Sequence, residues 1–322
     1  MNKISIFTLK VLKQLHSQIN PSVSRYGRNW QMFPNKEYAS ELIYDALLSN
    51  KPQMIARLGS TELSCMINFL GVKHPETYKS IKGFITNQTP PWWWNQLIID
   101  QMQRWSGFFP AQIDKLEQFC ELMIADLPNV DILGSWLKEE SFFQPKLSNA
   151  KKVMLEDLEP FFTKRPWTKA LEGKKVLVVH PFVDSIKSQY QRKDKLFDND
   201  LLPNFDLEVI PAVQSIAGQK TEFKDWFEAL DSMKEQIAKR DFDVCILGCG
   251  AYGFPLASFV KKMGKQSIHM GGVTQLLFGI KGKRWEKYIV YPYSNLFNEY
   301  WVRPNQNETP QQSKVVEGGC YW

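Results

Sequence analysis

Several clusters in this chain carry the residue types that act on phosphorylated substrates. The first is Arg57-Leu58-Gly59-Ser60-Thr61-Glu62. A guanidinium can pair bidentately with phosphate oxygens, and a nearby glycine lets the backbone approach them. Ser60 and Thr61 are good N-cap types, so the amides of Thr61, Glu62 and Leu63 are expected to point out of a helix N-terminus, a place where anions bind. Glu62 suits two tasks: ligating a divalent ion that bridges a diphosphate, or accepting a proton from an attacking hydroxyl. A carboxylate that merely complements the helix dipole is the structural alternative.

The second cluster is glycine-rich. Gly248, Gly250 and Gly253 follow the apolar run Val244 to Leu247 in G-x-G-x-x-G spacing. That spacing suggests a dinucleotide, but a dinucleotide site needs an acid about 20 positions on to hold the ribose. The next strand instead ends at His269-Met270-Gly271. The turn also lies late in the chain, with strands ahead of it. Gly248, Gly250, Tyr252, Gly253, His269 and Gly271 are therefore expected to form one wall of a phosphate site. The structural alternative is a turn that lets a helix pack close to a strand.

Two further clusters are weaker. His180 ends an apolar run, where α/β sheets place their sites, and Asp184 opens the next segment. Either could serve as base, with Lys187 and Arg192 adding positive charge; a hydrogen-bonded structural histidine and a simple N-cap aspartate are the alternatives. Trp136 with Glu139 and Glu140 joins an aromatic face to acids, which suits a sugar acceptor, and Trp92 to Trp94 form an exposed-looking cluster.

The pattern around these clusters alternates strand and helix. Short strands are expected at 54–58, 130–133, 153–155, 175–180, 205–211, 244–247 and 266–270. Helices are expected at 36–49, 62–70, 95–105, 111–127, 184–196, 221–239 and 255–263. Alternation of this kind predicts an α/β, Rossmann-like, mostly parallel sheet flanked by helices. Residues 1–35 read as a helical N-terminal appendage, 36–301 as the α/β domain, and 302–322 as a polar, irregular tail.

MIARLGSTEL resembles the Arg-x-Gly-Asp-Gly-Glu segment of the GT-D-type glycosyltransferases of bacterial surface-polysaccharide assembly. The stretch FDVCILGCGAYGFPLASFVKKMGKQSIHMGG resembles their later strand, glycine turn and helix. The likeness runs over about residues 50 to 280, with these two segments as its specific anchors. It implies transfer of a sugar from a UDP- or GDP-linked donor to a glycan or lipid-linked acceptor in capsule or O-antigen-type biosynthesis. It also implies a divalent metal (Mn or Mg) held through a D-x-E pair. Arg57, Gly59 and Glu62 stand in register with that motif, but Ser60 replaces its Asp and Thr61 its second Gly. A single carboxylate holds a hard cation less well than two. Two other functions remain open: a non-catalytic nucleotide- or sugar-binding component of a polysaccharide assembly complex, and a Rossmann-type NAD(P)-dependent enzyme.

Composition sets the outer limits. The 322 residues carry 40 Lys+Arg and 34 Asp+Glu, a net charge of +6, without a dense basic tract or a nucleic-acid motif. Five scattered cysteines suit buried free thiols in a reducing cytoplasm, and no paired Cys/His spacing suggests zinc. No apolar run reaches transmembrane length. Residues 1–18 lack a cleavage site and read as a basic amphipathic helix, packed on the body or in an oligomer, or in contact with the periphery of the inner membrane.

Overall fold

The computed structural model describes residues 2–20, 35–288, 291–311, 313–315 and 318–322. Most of the turn-rich stretch expected between Asn20 and Pro34 lies outside the described residues. The chain begins with α1 (Lys3–Ile19) and α2 (Lys36–Leu48), and β1 (Gln53–Arg57) then leads into α3 (Ser60–Lys73). Four helices follow: α4 (Pro75–Tyr78), α5 (Ile81–Ile85), α6 (Gln96–Arg104) and α7 (Ile113–Asp126). Next come β2 (Ile132–Ser135), β3 (Lys151–Met154), β4 (Lys175–His180), α8 (Val183–Tyr190) and β5 (Asp206–Pro211). The last elements are α9 (Trp226–Ala238), β6 (Val244–Leu247), α10 (Gly253–Lys262), β7 (Gln266–His269), α11 (Lys283–Glu286) and short 3₁₀ turns.

The seven strands form one sheet in the order β3-β2-β1-β7-β6-β4-β5, and every pairing in it is parallel. The Rossmann-like α/β fold expected from the alternation is thus present. Strand residues alternate between two apolar layers, as the period of two in a strand requires. Met54, Ala56, Leu177, Val179, Cys245 and Leu247 face the layer that holds α3, α7, α9 and α10. Ile55, Val176, Val178, Val244, Ile246 and Ile268 face α2, α8 and the C-terminal segments. Complete burial of each Val, Leu, Ile or Met among them contributes about 1.5–3 kcal/mol.

Register aligns the carboxyl ends. Arg57 pairs with Gly134, Val179 with Leu247, and Leu247 with His269. Connections leave β4 toward β5 and β6 toward β7, so they diverge between β4 and β6. Open α/β sheets hold ligands at such a crevice.

Several local expectations are corrected. Ser60 and Thr61 lie inside the first turn of α3, whose N-cap is Gly59, with no side chain capping it. The helix after His180 ends at Tyr190 rather than Leu196 and starts at Val183. Its N-terminus is capped from the tail: Glu308 Oε1 accepts from the amides of Asp184 (2.7 Å) and Ser185 (3.2 Å). The tail, expected to be irregular, folds back on the body and buries Glu308, Cys320 and Trp322. Trp92 to Trp94 are half-buried, because Asn68 Nδ2 holds their loop through the carbonyls of Pro91 (3.2 Å) and Trp93 (2.9 Å). The five cysteines are free and buried. Among the described residues, no helix is long and apolar enough to cross a membrane.

Candidate functional site

A cavity of about 390 Å³ opens at the carboxyl ends of β1, β2, β6 and β7. Arg57, the last residue of β1, forms part of its wall. Its guanidinium carbon sits 5.3 Å above the Trp136 ring, a cation–π distance. Among the described residues it donates no hydrogen bond to another protein group. Burial lowers Arg57 below the usual guanidinium range, and the Glu62 charge and then Tyr321 oppose that shift. Arg57 is half-buried, and a partly desolvated guanidinium with unspent N–H groups is costly unless an anion completes it.

Two residues beyond Arg57, Gly59 begins α3. A Cβ built on Gly59 would lie 1.8 Å from Glu62 Oε2, so the Glu62 carboxylate folds back over the start of its own helix. Only glycine permits that. Ser60 is exposed and Thr61 half-buried, and both line the same cavity. With no side-chain cap on α3, the first-turn amides face the opening.

The opposite rim brings a residue that motif reading missed. Arg284, on α11, lines the cavity and donates to Tyr321 Oη at 3.1 Å. Its guanidinium carbon is also 4.7 Å from the Tyr321 ring centre. Tyr321 in turn lies against Gly272, where a Cβ would meet the ring at 2.2 Å. A third wall carries acids and phenols: Tyr288 Oη donates to Glu156 (3.1 Å) and Tyr293 Oη to Glu159 (2.5 Å). Burial, followed by the Glu159 charge, pushes the Tyr293 phenol far above its usual range, so it remains a donor.

A narrower slot of about 110 Å³ adjoins the cavity at the β4/β6 crevice. Trp105, Ser106, Gly250, Gly272 and Tyr321 line both spaces. Ser106 Oγ is buried and has no hydrogen-bond partner among the described residues. His180 lines the slot; the Phe182 amide donates to its Nδ1 at 3.0 Å, which places the neutral ring's proton on Nε2. Burial holds His180 at about 3, so it is neutral at ordinary pH and a poor base. His269 belongs to the larger cavity. Burial and then the Arg57 charge bring it to about 3, and its Nδ1 donates to the Leu247 carbonyl at 3.2 Å.

The glycine turn serves these two rings. A Cβ on Gly248 would lie 2.4 Å from His180 Cδ2, and one on Gly253 would lie 2.1 Å from His269 Cε1. Gly250 (φ +57°) and Gly271 (φ +71°) take left-handed conformations that other residues adopt at a cost. Tyr252 is spent on structure: it stacks on Trp226 at 4.8 Å, and its hydroxyl meets Ser215 Oγ at 3.2 Å.

The remaining expected residues fall elsewhere. Asp184 and Lys187 are exposed on α8, and Arg192 Nε donates to Gln189 Oε1 at 2.7 Å; none of the three lines either space. Trp136 lines the large cavity and donates through Nε1 to the Leu58 carbonyl at 2.9 Å. Glu139 is buried beside it but outside the lining. Glu140 accepts from the amides of Trp136 (3.0 Å) and Leu137 (3.1 Å), which fixes the Trp136 turn.

The donor set does not fit a resident divalent ion. No three acidic, histidine or cysteine side chains converge in a metal-holding group among the described residues, and Glu62, the one carboxylate at the start of α3, faces the Arg57 charge. Comparison with family models, with curated proteins and with solved structures returns no match.

Proposed function

We propose that this chain is a glycosyltransferase that uses a UDP- or GDP-linked sugar. The observation that carries the reading is the unspent Arg57 guanidinium, set between an uncapped helix N-terminus and a second arginine, Arg284, in one cavity. This combination suits a diphosphate better than a single phosphate, because positive groups approach it from two sides. The nucleoside would run from there into the slot bounded by Ser106, His180 and Tyr321. The sugar would lie toward Trp136, Glu156 and Tyr288, where aromatic faces and acids meet.

In the reaction, an acceptor hydroxyl attacks the anomeric carbon. The bond from that carbon to the diphosphate oxygen breaks, and the new bond to the acceptor oxygen forms. Glu62 takes the hydroxyl proton. Arg57, Arg284 and the α3 amides receive the negative charge that grows on the leaving diphosphate, at positions fixed before the reaction begins. The fit to metal is poor, so no step is assigned to one.

Purified protein should release nucleoside diphosphate from at least one donor in a panel of UDP- and GDP-sugars. Glu62→Gln should lower kcat by about 10²–10⁴-fold while changing nucleotide affinity much less. Full activity in both Glu62→Gln and Arg57→Ala would remove the site assignment. A second reading rests on Ser60, which leaves one acid where the resembling family has two: a binding component without catalysis. Tight UDP or GDP binding with no turnover on any donor, with or without manganese, would select it.

A further inference from the structure

We propose that α1 is a docking surface for an anionic lipid membrane. The inference is independent of the cavity reading.

The helix meets the body along a narrow strip. Leu9 is buried, Ile6, Lys13 and His16 are half-buried, Lys13 Nζ lies 4.5 Å from the Phe84 ring centre, and Lys10 Nζ donates to Asn95 Oδ1 at 3.2 Å. The wider apolar face points outward. Ile4 (78% exposed), Phe7 (69%), Val11, Leu12, Leu15 and Ile19 (77%) recur at helical spacing on that side. Ile81 on α5, the helix that Lys13 reaches at Phe84, is also exposed, as is Leu97 on α6. Contiguous apolar surface of this kind marks an interaction site.

Charge identifies the partner. Of the chain's 40 Lys+Arg, six lie in residues 1–36 (Lys3, Lys10, Lys13, Arg25, Arg28 and Lys36), and none of its 34 Asp+Glu do. The other 286 residues therefore carry 34 of each sign, and the whole net charge of +6 belongs to the segment that contains α1. A second copy of the chain would bring the same acid-free segment against itself, with like charges opposed. A leaflet rich in anionic lipid offers an apolar interior for the outward face and negative headgroups for the lysines. Docking there would also bring the cavity near the bilayer, since α6 spans only about 14 Å between the Asn95 contact and Trp105 at the cavity rim.

The test is vesicle co-sedimentation of the full chain. Vesicles of phosphatidylcholine with 30% phosphatidylglycerol are compared with pure phosphatidylcholine at about 0.1 and 0.5 M salt. The expected result is binding to the anionic vesicles at least tenfold tighter than to neutral ones and weakened by salt. The double variant Phe7→Ser/Leu15→Ser should lose it tenfold or more, and Lys3→Glu should weaken it without removing apolar surface, each with an unchanged thermal midpoint. Absence of binding to anionic vesicles, or binding that neither variant weakens, overturns the proposal. So does a dimer in light scattering that Phe7→Ser/Leu15→Ser converts to monomer without any vesicle binding, which would make the face a contact between copies.

Discussion

At the scale of the residue, Arg57 shows how a side chain can be held ready rather than satisfied. A half-buried guanidinium normally spends its donors on carboxylates or carbonyls. Here Trp136 supports its face and Glu62 supplies charge at a distance, while the N–H groups stay free among the described residues. If a diphosphate completes it, Arg57→Ala should weaken UDP or GDP binding by about 1.5–3 kcal/mol, the range for hydrogen bonds to a charged group. Arg57→Lys should recover only part of that, because an ammonium cannot make the paired contact. Isothermal titration of both variants checks this, and equal affinity for lysine and arginine would point to a simple charge effect. Arg57, Gly59 and Glu62 were legible because they sit within six residues at one strand-to-helix junction, where local geometry alone brings them together. Arg284, Ser106 and Tyr321 were not. Each reaches the cavity from a different connection, and no spacing in the chain records that approach.

At the scale of the element, the strands were readable because each is a short apolar run between turn residues; β4 and β6 fall on the expected residues. The tail was misread because its polar residues are used inward. Glu308 presents one oxygen to the Asp184 and Ser185 amides and the other to the Ser185 hydroxyl and, at 3.3 Å, the Asn305 amide. One carboxylate thus caps α8 and closes the tail's own turn. Trp322 Nε1 then donates to the Glu308 carbonyl at 3.4 Å, and Arg303 Nη1 to the Trp322 carbonyl at 3.0 Å. Glu308→Ala leaves those buried donors unmet and should cost about 2–3 kcal/mol, read as a lower urea midpoint. Because the same tail presents Tyr321 to the cavity, nucleotide affinity should fall with it. A variant with lower stability and unchanged affinity would show that the tail's anchoring and the site are independent.

At the scale of the whole molecule, the carboxyl edge of the sheet is held by two neutral imidazoles. His180 ends β4 and lies against Gly248 beyond β6; His269 ends β7 and lies against Gly253 at the start of α10. The two rings occupy the strand ends that border the slot and the cavity, and Gly248 and Gly253 leave room for them, while Gly250 takes a left-handed turn. The rings account for two of the three glycines whose spacing suggested a dinucleotide. The arrangement also has a thermodynamic consequence. Each ring is held at about 3 in the fold, mainly by burial, against an ordinary value of 6.5. Below pH 6.5 the unfolded chain takes up protons that the folded chain refuses until about pH 3. The contribution to stability is therefore complete above 6.5 and lost as pH falls, approaching about 1.4 kcal/mol per unit for each ring. From pH 7 to 5 the two together should remove about 4 kcal/mol. Urea unfolding at several pH values measures this directly, and His180→Gln or His269→Gln should each remove about half of the slope whatever it does to the absolute stability. A pH-independent unfolding free energy over that interval would mean the rings are solvated, and the close contacts with Gly248 and Gly253 would have to open.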